Sequence, residues 1–214
     1  MKAFVLFASV GVVSSVASAE VVPGVARFDS LKEWTTYAMD LSPAYSTVAD
    51  SLTGFKPIVR PSLSGGSGWT SWTATAGSGI GVRGGSSYIT TAMVGDTLIF
   101  TFTGSTSAET GVHGIGGNFG FRDEDGTFQP GSVLLTLSSG ASIYQTFSSK
   151  SDFAGFWLTD PAVTITGMSL QPVSGSNLAA YTVSVDNLYF GGVPAPGALA
   201  LLGVAGICTA KRRR

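Results

Sequence analysis

An all-β domain is the fold the sequence predicts, and three observations predict it. Glycine is abundant, at 29 of 214 residues, and charged side chains make up only 12%. Segments of apolar, β-branched and aromatic residues recur over 96–103, 132–137, 142–147, 153–158, 163–170 and 181–190. Each is bounded by Gly, Ser, Asn, Asp or Pro. Short strands punctuated by turn residues at even spacing are the pattern of an antiparallel β-sandwich or barrel. No repeat of fixed period is present, which argues against a solenoid or a propeller.

The chain divides into three parts: 1–19, 20–190 and 191–214. The first reads as a secretory signal peptide. Lys2 supplies a positive start, Ala3–Val13 an apolar run, and Ala17-Ser18-Ala19 a small-x-small cleavage site, so the exported chain is expected to begin at Glu20. The alternative is an uncleaved anchor. Next, Ser30-Leu31-Lys32-Glu33 has the form of a capping box, and Leu31, Trp34 and Ala38 fall on one helical face. The spacing predicts one short N-terminal helix that buries Trp34 across an open end of the sandwich.

The segments 62–68 and 77–87 are rich in Gly and Ser and resemble linkers in composition. Trp69 and Trp72 stand between them. A loop there would offer two flat rings on which a sugar could stack, with core packing as the competing reading. Trp157 reads as structural. Residues 79–84 match G-x-G-x-x-G, but residues 85–91 read as strand, with no helix to present to a pyrophosphate. In the last strand, Val183 and Val185 share one parity, and Leu188 and Phe190 the other. One extra residue at Asp186-Asn187, a β-bulge, would bring all four to the core.

The 20–190 segment contains thirteen acidic and seven basic residues, a net charge of about −6. No basic stripe is available to neutralise phosphates, so nucleic acid is excluded as a partner. Cys208, the one cysteine, lies outside this segment, which rules out a disulfide framework, a thiol nucleophile and a zinc–thiolate site within it. His113 is the single histidine, and nothing around it reads as a nucleophile turn. A glycan-active hydrolase would need two carboxylates facing a cleft, and no pair can be assigned from the sequence. Asp123 and Asp125, in D-E-D-G, have the spacing that opens some calcium loops, and Asp186 could add a third oxygen. The competing reading is an Asp-Gly hairpin turn. Structural calcium is the one cofactor the residues suggest. Ice binding would require a regular array of threonines, and none aligns at the level of sequence.

The C-terminus reads V-P-A-P-G, then an uncharged stretch from Ala198 to Ala210, then Lys211, Arg212, Arg213 and Arg214. Pro194 and Pro196 favour an exposed, extended backbone. Thirteen residues make a helix of about 20 Å, short of the roughly 30 Å hydrocarbon core. The cations act as a stop on the cytoplasmic side. This order resembles the PEP-CTERM sorting signal of bacterial surface proteins, with Val193, Pro194, Pro196 and Gly197 in the motif and Ala195 where the family name has Glu. The resemblance implies a membrane-associated transit form, cleavage near the prolines by an exosortase, and delivery to the cell surface or extracellular matrix. A permanent single-span anchor is the alternative. Residues 114–190, with GIGGNFGFRDEDG, VLLTLSSGAS, FAGFWL and VDNLYFG, also look like the ectodomains of that family. That likeness implies a jelly-roll-like β-sandwich and an exopolysaccharide partner. The expected function is therefore that of an exported, non-catalytic surface protein that binds carbohydrate, or else of a purely structural coat protein.

Overall fold

The structure, a computed structural model, describes residues 24–41, 45–53, 55, 58–82, 88–104, 111–160, 162–173 and 180–192. The expected signal peptide, the proline motif (Val193, Pro194, Pro196, Gly197) and the basic stop (Lys211 to Arg214) lie outside the described residues. Among those described, no helix is long and apolar enough to cross a membrane.

The described residues form a jelly-roll-like antiparallel β-sandwich with one helix. The elements run β1 (Val25–Phe28), α1 (Leu31–Leu41), β2 (Ser46–Asp50), β3 (Ile58–Ser67), β4 (Thr70–Val82), β5 (Ile89–Thr91), β6 (Leu98–Gly104), β7 (Val112–Arg122), β8 (Phe128–Gln129), β9 (Gly131–Leu137), β10 (Ser142–Phe147), β11 (Ala154–Leu158), β12 (Gly167–Pro172) and β13 (Thr182–Gly192). Hydrogen bonding runs in the order β1-β11-β7-β13-β5-β4-β6-β12-β9-β10, with β2 on β13, β3 on β4 and β8 on β7. The short β5 joins two layers, β1-β11-β7-β13-β2 and β3-β4-β6-β12-β9-β10. Phe100, Phe102, Phe119, Phe147, Phe156 and Phe190 fill the space between them. Edge-to-face contacts link the layers, Phe102 to Phe190 at 5.4 Å and Phe119 to Phe147 at 5.9 Å between ring centroids.

Alternation decides which residues reach that core. In β10, Ile143, Gln145 and Phe147 are buried, and Ser142, Tyr144 and Thr146 are exposed. β6 does the same with Leu98, Phe100 and Phe102 inside. The expected bulge is present: the register between β13 and β7 shifts between Val185 and Asn187. Val183, Val185, Leu188 and Phe190 all lie in the core as a result.

Two expectations are corrected. The segments 62–67 and 77–82 belong to β3 and β4 rather than to linker, with an irregularity where the register jumps from Arg60–Ile80 to Ser62–Thr75 and Gly79 takes φ +95. Their glycines open space beneath neighbours: a Cβ on Gly65 would collide with the ring of Trp72. The helix does form and bury Trp34 and Ala38, but it lies on the outer face of the first layer rather than across an open end. There, Trp34 packs on Trp157 at 5.2 Å and on Phe153 at 6.2 Å. Its Nε1 donates to the Phe156 carbonyl at 3.3 Å, and Trp157 Nε1 donates to the Trp34 carbonyl at 3.1 Å.

Candidate functional site

The tryptophans proposed for stacking do not form a platform. Trp72 points inward from β4 and is 1% exposed. Its Nε1 donates to Asp50 Oδ2 at 2.8 Å, and Phe55 and Phe100 pack edge-on against it. Trp69 does sit in the tight turn between β3 and β4, beside Gly68 with φ +60. Its ring folds back over Gly192, and its Nε1 donates to Ser46 Oγ at 3.1 Å, leaving it half-buried. Period-two alternation through 70–76 puts Trp72 with Ala74 on the core side, a pattern the flanking glycines obscured.

Asp123, Asp125 and Asp186 do not come together as a metal-holding group; among the described residues no cluster of three or more such ligands occurs. Asp123 closes the β7–β8 turn. Its Oδ1 accepts from the N–H of Asp125 at 3.0 Å and of Thr127 at 2.8 Å, and its Oδ2 accepts from Gln129 Nε2 at 2.8 Å. The Thr127 bond in particular holds its carboxyl below the usual range, although desolvation opposes this. Gly126 takes φ +81 to complete the turn. The bulge aims Asp186 at Arg122, 2.5 Å away, instead of at a ligand. Arg122 in turn lies 4.4 Å over the ring of Tyr88.

Asp96, Asp152 and Asp160 are also committed to loops. Asp96 accepts from the N–H and Oγ of Ser78, both at 2.6 Å, and from the N–H of Thr97 at 2.7 Å. Burial alone would raise its pKa, but these bonds outweigh it and lower it. Asp152 accepts from the N–H of Ser148 and Ser149, and Asp160 from that of Ala162. His113 is buried beside Tyr45, with ring centroids 5.6 Å apart. Burial lowers its pKa, partly offset by a hydrogen bond to the Val163 backbone. Its Nδ1 has no partner among the described residues.

The distinctive surface is the outer face of the second layer, which sequence reasoning missed. Register assembles it strand by strand. From β3 and β4 come Ser62 opposite Thr75, Ser64 opposite Thr73, and Gly66 opposite Ser71. From β4 to β6, Ser71 stands opposite Thr103, Thr73 opposite Thr101, and Thr75 opposite Ile99. β12 adds Gly167 opposite Thr101 and Ser169 opposite Ile99. β9 adds Thr136 opposite Ser169, Leu134 opposite Gln171, and Ser132; β10 adds Ser142, Tyr144 and Thr146. Of these eighteen positions, twelve are Ser or Thr and none is charged. One row, Ser62-Thr75-Ile99-Ser169-Thr136-Ser142, crosses all six strands. Strands about 4.8 Å apart and residues about 6.7 Å apart along each strand make this a two-dimensional lattice of hydroxyls. Neighbouring hydroxyls bond across strands: Ser64 to Thr73 at 2.9 Å, Ser132 to Thr146 at 2.8 Å, and Thr136 to Ser142 at 3.1 Å. Tyr144, 51% exposed, is the aromatic of this face, and Leu134 stands beside it. The signal was present as Ser and Thr alternating with apolar residues, but it becomes a surface only once registers are known.

No family model and no curated protein matches the chain. A solved structure of a mutant of a family 29 carbohydrate-binding module is similar to 69% of this chain and 84% of its own, at 12% identity and a TM-score of 0.34.

Proposed function

We propose that this chain is an exported, non-catalytic surface protein whose sandwich contacts neutral polysaccharide through the outer face of β3-β4-β6-β12-β9-β10. The observation that carries the reading is the absence of charge from eighteen outward positions in a segment with net charge near −6. A solvent-facing sheet surface ordinarily carries lysines and glutamates. A face of hydroxyls with one exposed aromatic suits a partner that is itself uncharged, hydroxylated and apolar on its ring faces. The role of stacking platform passes from Trp69 and Trp72 to Tyr144. The structural use of Asp96, Asp123, Asp152, Asp160 and Asp186 supports a non-catalytic reading over a glycan hydrolase.

Delivery to the surface rests on the two terminal sequences alone. Export machinery would remove residues 1–19, and an exosortase-type enzyme would cut near Pro194 and Pro196, with Lys211 to Arg214 held on the cytoplasmic side. The intact mass of protein recovered from the cell surface tests this: a species retaining residues 197–214 would make the tail a permanent anchor.

Co-sedimentation with insoluble neutral polysaccharides, against acidic ones, tests the binding face. Binding to the neutral polymers is expected, reduced about tenfold or more by Tyr144→Ala and by Thr101→Lys, with melting temperature unchanged. Binding that ignores both substitutions would move the site elsewhere. Inhibition of ice recrystallisation lost in Thr101→Lys would assign the hydroxyl lattice to ice. No binding to any surface would leave the structural coat reading, which the burial of Trp34, Trp72 and Trp157 favours.

A further inference from the structure

Natural sheets blunt their edges with charges, prolines and bulges. Among the described strands, β3 carries Arg60, Pro61 and a register break between Arg60 and Ser62. β1 carries Arg27, and β2 ends on Asp50. β10 has no such device: Ser142–Phe147 contains no charge, proline or glycine, and its register with β9 is unbroken over all six residues. Among the described residues β9 is its one strand partner.

The direction of its free backbone groups is set by its neighbours. Val173 N–H donates to the Ser132 carbonyl at 3.1 Å, and Ser138 N–H to the Gly167 carbonyl at 3.0 Å, so even-numbered residues of β9 turn toward β12. Leu137 N–H donates to the Ala141 carbonyl, so odd-numbered ones turn toward β10. Ser142, Tyr144 and Thr146, paired with the even set, therefore direct their N–H and C=O groups to the open edge. Between them Gln145 points inward and is 8% exposed. Its Nε2 reaches the Thr146 carbonyl at 3.4 Å, and its Oε1 is buried without a donor among the described residues. A buried acceptor left unpaired is costly, and this one stands at the strand edge that also lacks a partner.

We propose that two copies of this chain pair antiparallel through β10, about a two-fold axis at Gln145. In that register Gln145 faces Gln145 of the partner subunit as a non-hydrogen-bonded pair, the geometry in which side chains stand closest. Each amide then supplies the donor that the other's Oε1 lacks. Tyr144 stands opposite the partner's Thr146, and the two exchange both backbone hydrogen bonds, freeing Gln145 Nε2 from the Thr146 carbonyl. Ile143 meets the partner's Phe147 on the core side. Inward positions meet inward ones, outward meet outward, and no like charges oppose. The contact is self-complementary and closes at two copies. It also joins the two hydroxyl faces edge to edge, although the pairing stands independently of what that face binds.

Sedimentation velocity of the purified chain over a concentration series is expected to show a monomer–dimer equilibrium, the dimer at twice 21.9 kDa. Thr146→Pro removes an open-edge N–H without touching a backbone bond to β9, at the loss of the Ser132–Thr146 hydroxyl contact, and is expected to give a monomer with an unchanged circular dichroism spectrum. Gln145→Glu sets two carboxylates face to face, so association is expected to be lost at neutral pH and regained at about pH 4.5 as they protonate. A wild-type chain that is monomeric at every concentration overturns the proposal. So does a Thr146→Pro chain that still dimerises, as association through the apolar tail would, and so does Gln145→Glu association that is indifferent to pH.

Discussion

The indole of Trp157 occupies the space that a side chain at Gly191 would fill. The two stand in one transverse row, Trp157 on β11, Gly114 on β7 and Gly191 on β13, and the ring lies over both glycines. A Cβ on either would fall within van der Waals overlap of the ring, and Trp157 is pinned from above by Trp34 and Tyr45. Gly191→Ala and Gly114→Ala are each expected to destabilise the domain by about 1–3 kcal/mol, as overpacking does. Urea unfolding followed by tryptophan fluorescence measures it. Gly140→Ala, where a Cβ would meet nothing within 4 Å, controls for the composition change, although its φ of +90 adds backbone strain of its own.

Trp72 and Asp50 give a second test. Trp72→Phe keeps most of the buried ring but strips the donor from Asp50 Oδ2, leaving that carboxylate with the Leu52 N–H. A loss of about 1–3 kcal/mol is expected, with polysaccharide binding unchanged. A large loss of binding with stability preserved would restore Trp72 as a ligand platform.

Much of the fold was legible because period-two alternation is a local signal. Ser142–Phe147 is read at its observed bounds, and the parity change at Asp186-Asn187 places the bulge. The helix was legible from Ser30, Trp34 and Ala38. What stayed hidden depends on partners distant in sequence. The glycines Gly65 of β3 and Gly114 and Gly116 of β7 read as linker or motif because their use is to seat Trp72, Trp157 and Phe153, and those contacts cross strands. The carboxylates of the 123–126 turn read first as turn closers and second as calcium ligands, since both uses place oxygens on alternate residues; the bonds from Gln129 to Asp123 and from Arg122 to Asp186 are visible only once the strands are paired. The hydroxyl face was invisible because no single strand holds more than three of its positions.

The β7–β8 turn predicts indifference to metal. With Asp123 satisfied by three donors and Asp186 paired with Arg122, the melting temperature is expected to be the same in millimolar calcium and in chelator. Asp123→Ala is expected to lower it equally in both. A calcium-dependent rise in the wild type that Asp123→Ala abolishes would return this turn to the calcium reading.

Asp96 ties the loop before β6 to β4 through three donors, from Ser78 twice and from Thr97. Asp96→Ala removes charge-assisted bonds and is expected to cost about 1.5–3 kcal/mol. Amide hydrogen exchange is expected to localise the loss of protection to residues 77–79 and 92–97. Its lowered pKa adds stability that is present above about pH 4 and disappears as pH falls through the folded-state value.

His113 sets a separate acid sensitivity at higher pH. Buried beside Tyr45 with Nδ1 unpartnered, it has a pKa below its ordinary value because burial disfavours the imidazolium. The unfolded chain therefore binds a proton that the folded chain refuses, beginning near the unfolded histidine pKa of about 6.5. With more protons bound in the unfolded state, stability rises with pH across that interval and falls on acidification below it, until the folded-state pKa is passed. His113→Phe removes the titration. Denaturation midpoints measured from pH 7.5 to 5 are expected to decline in the wild type and to run flatter in His113→Phe, converging on the slope set by the carboxylates. Parallel pH profiles for the two would mean that the buried ring accepts its proton as readily as one in water, through a partner for Nδ1 that forms only on protonation.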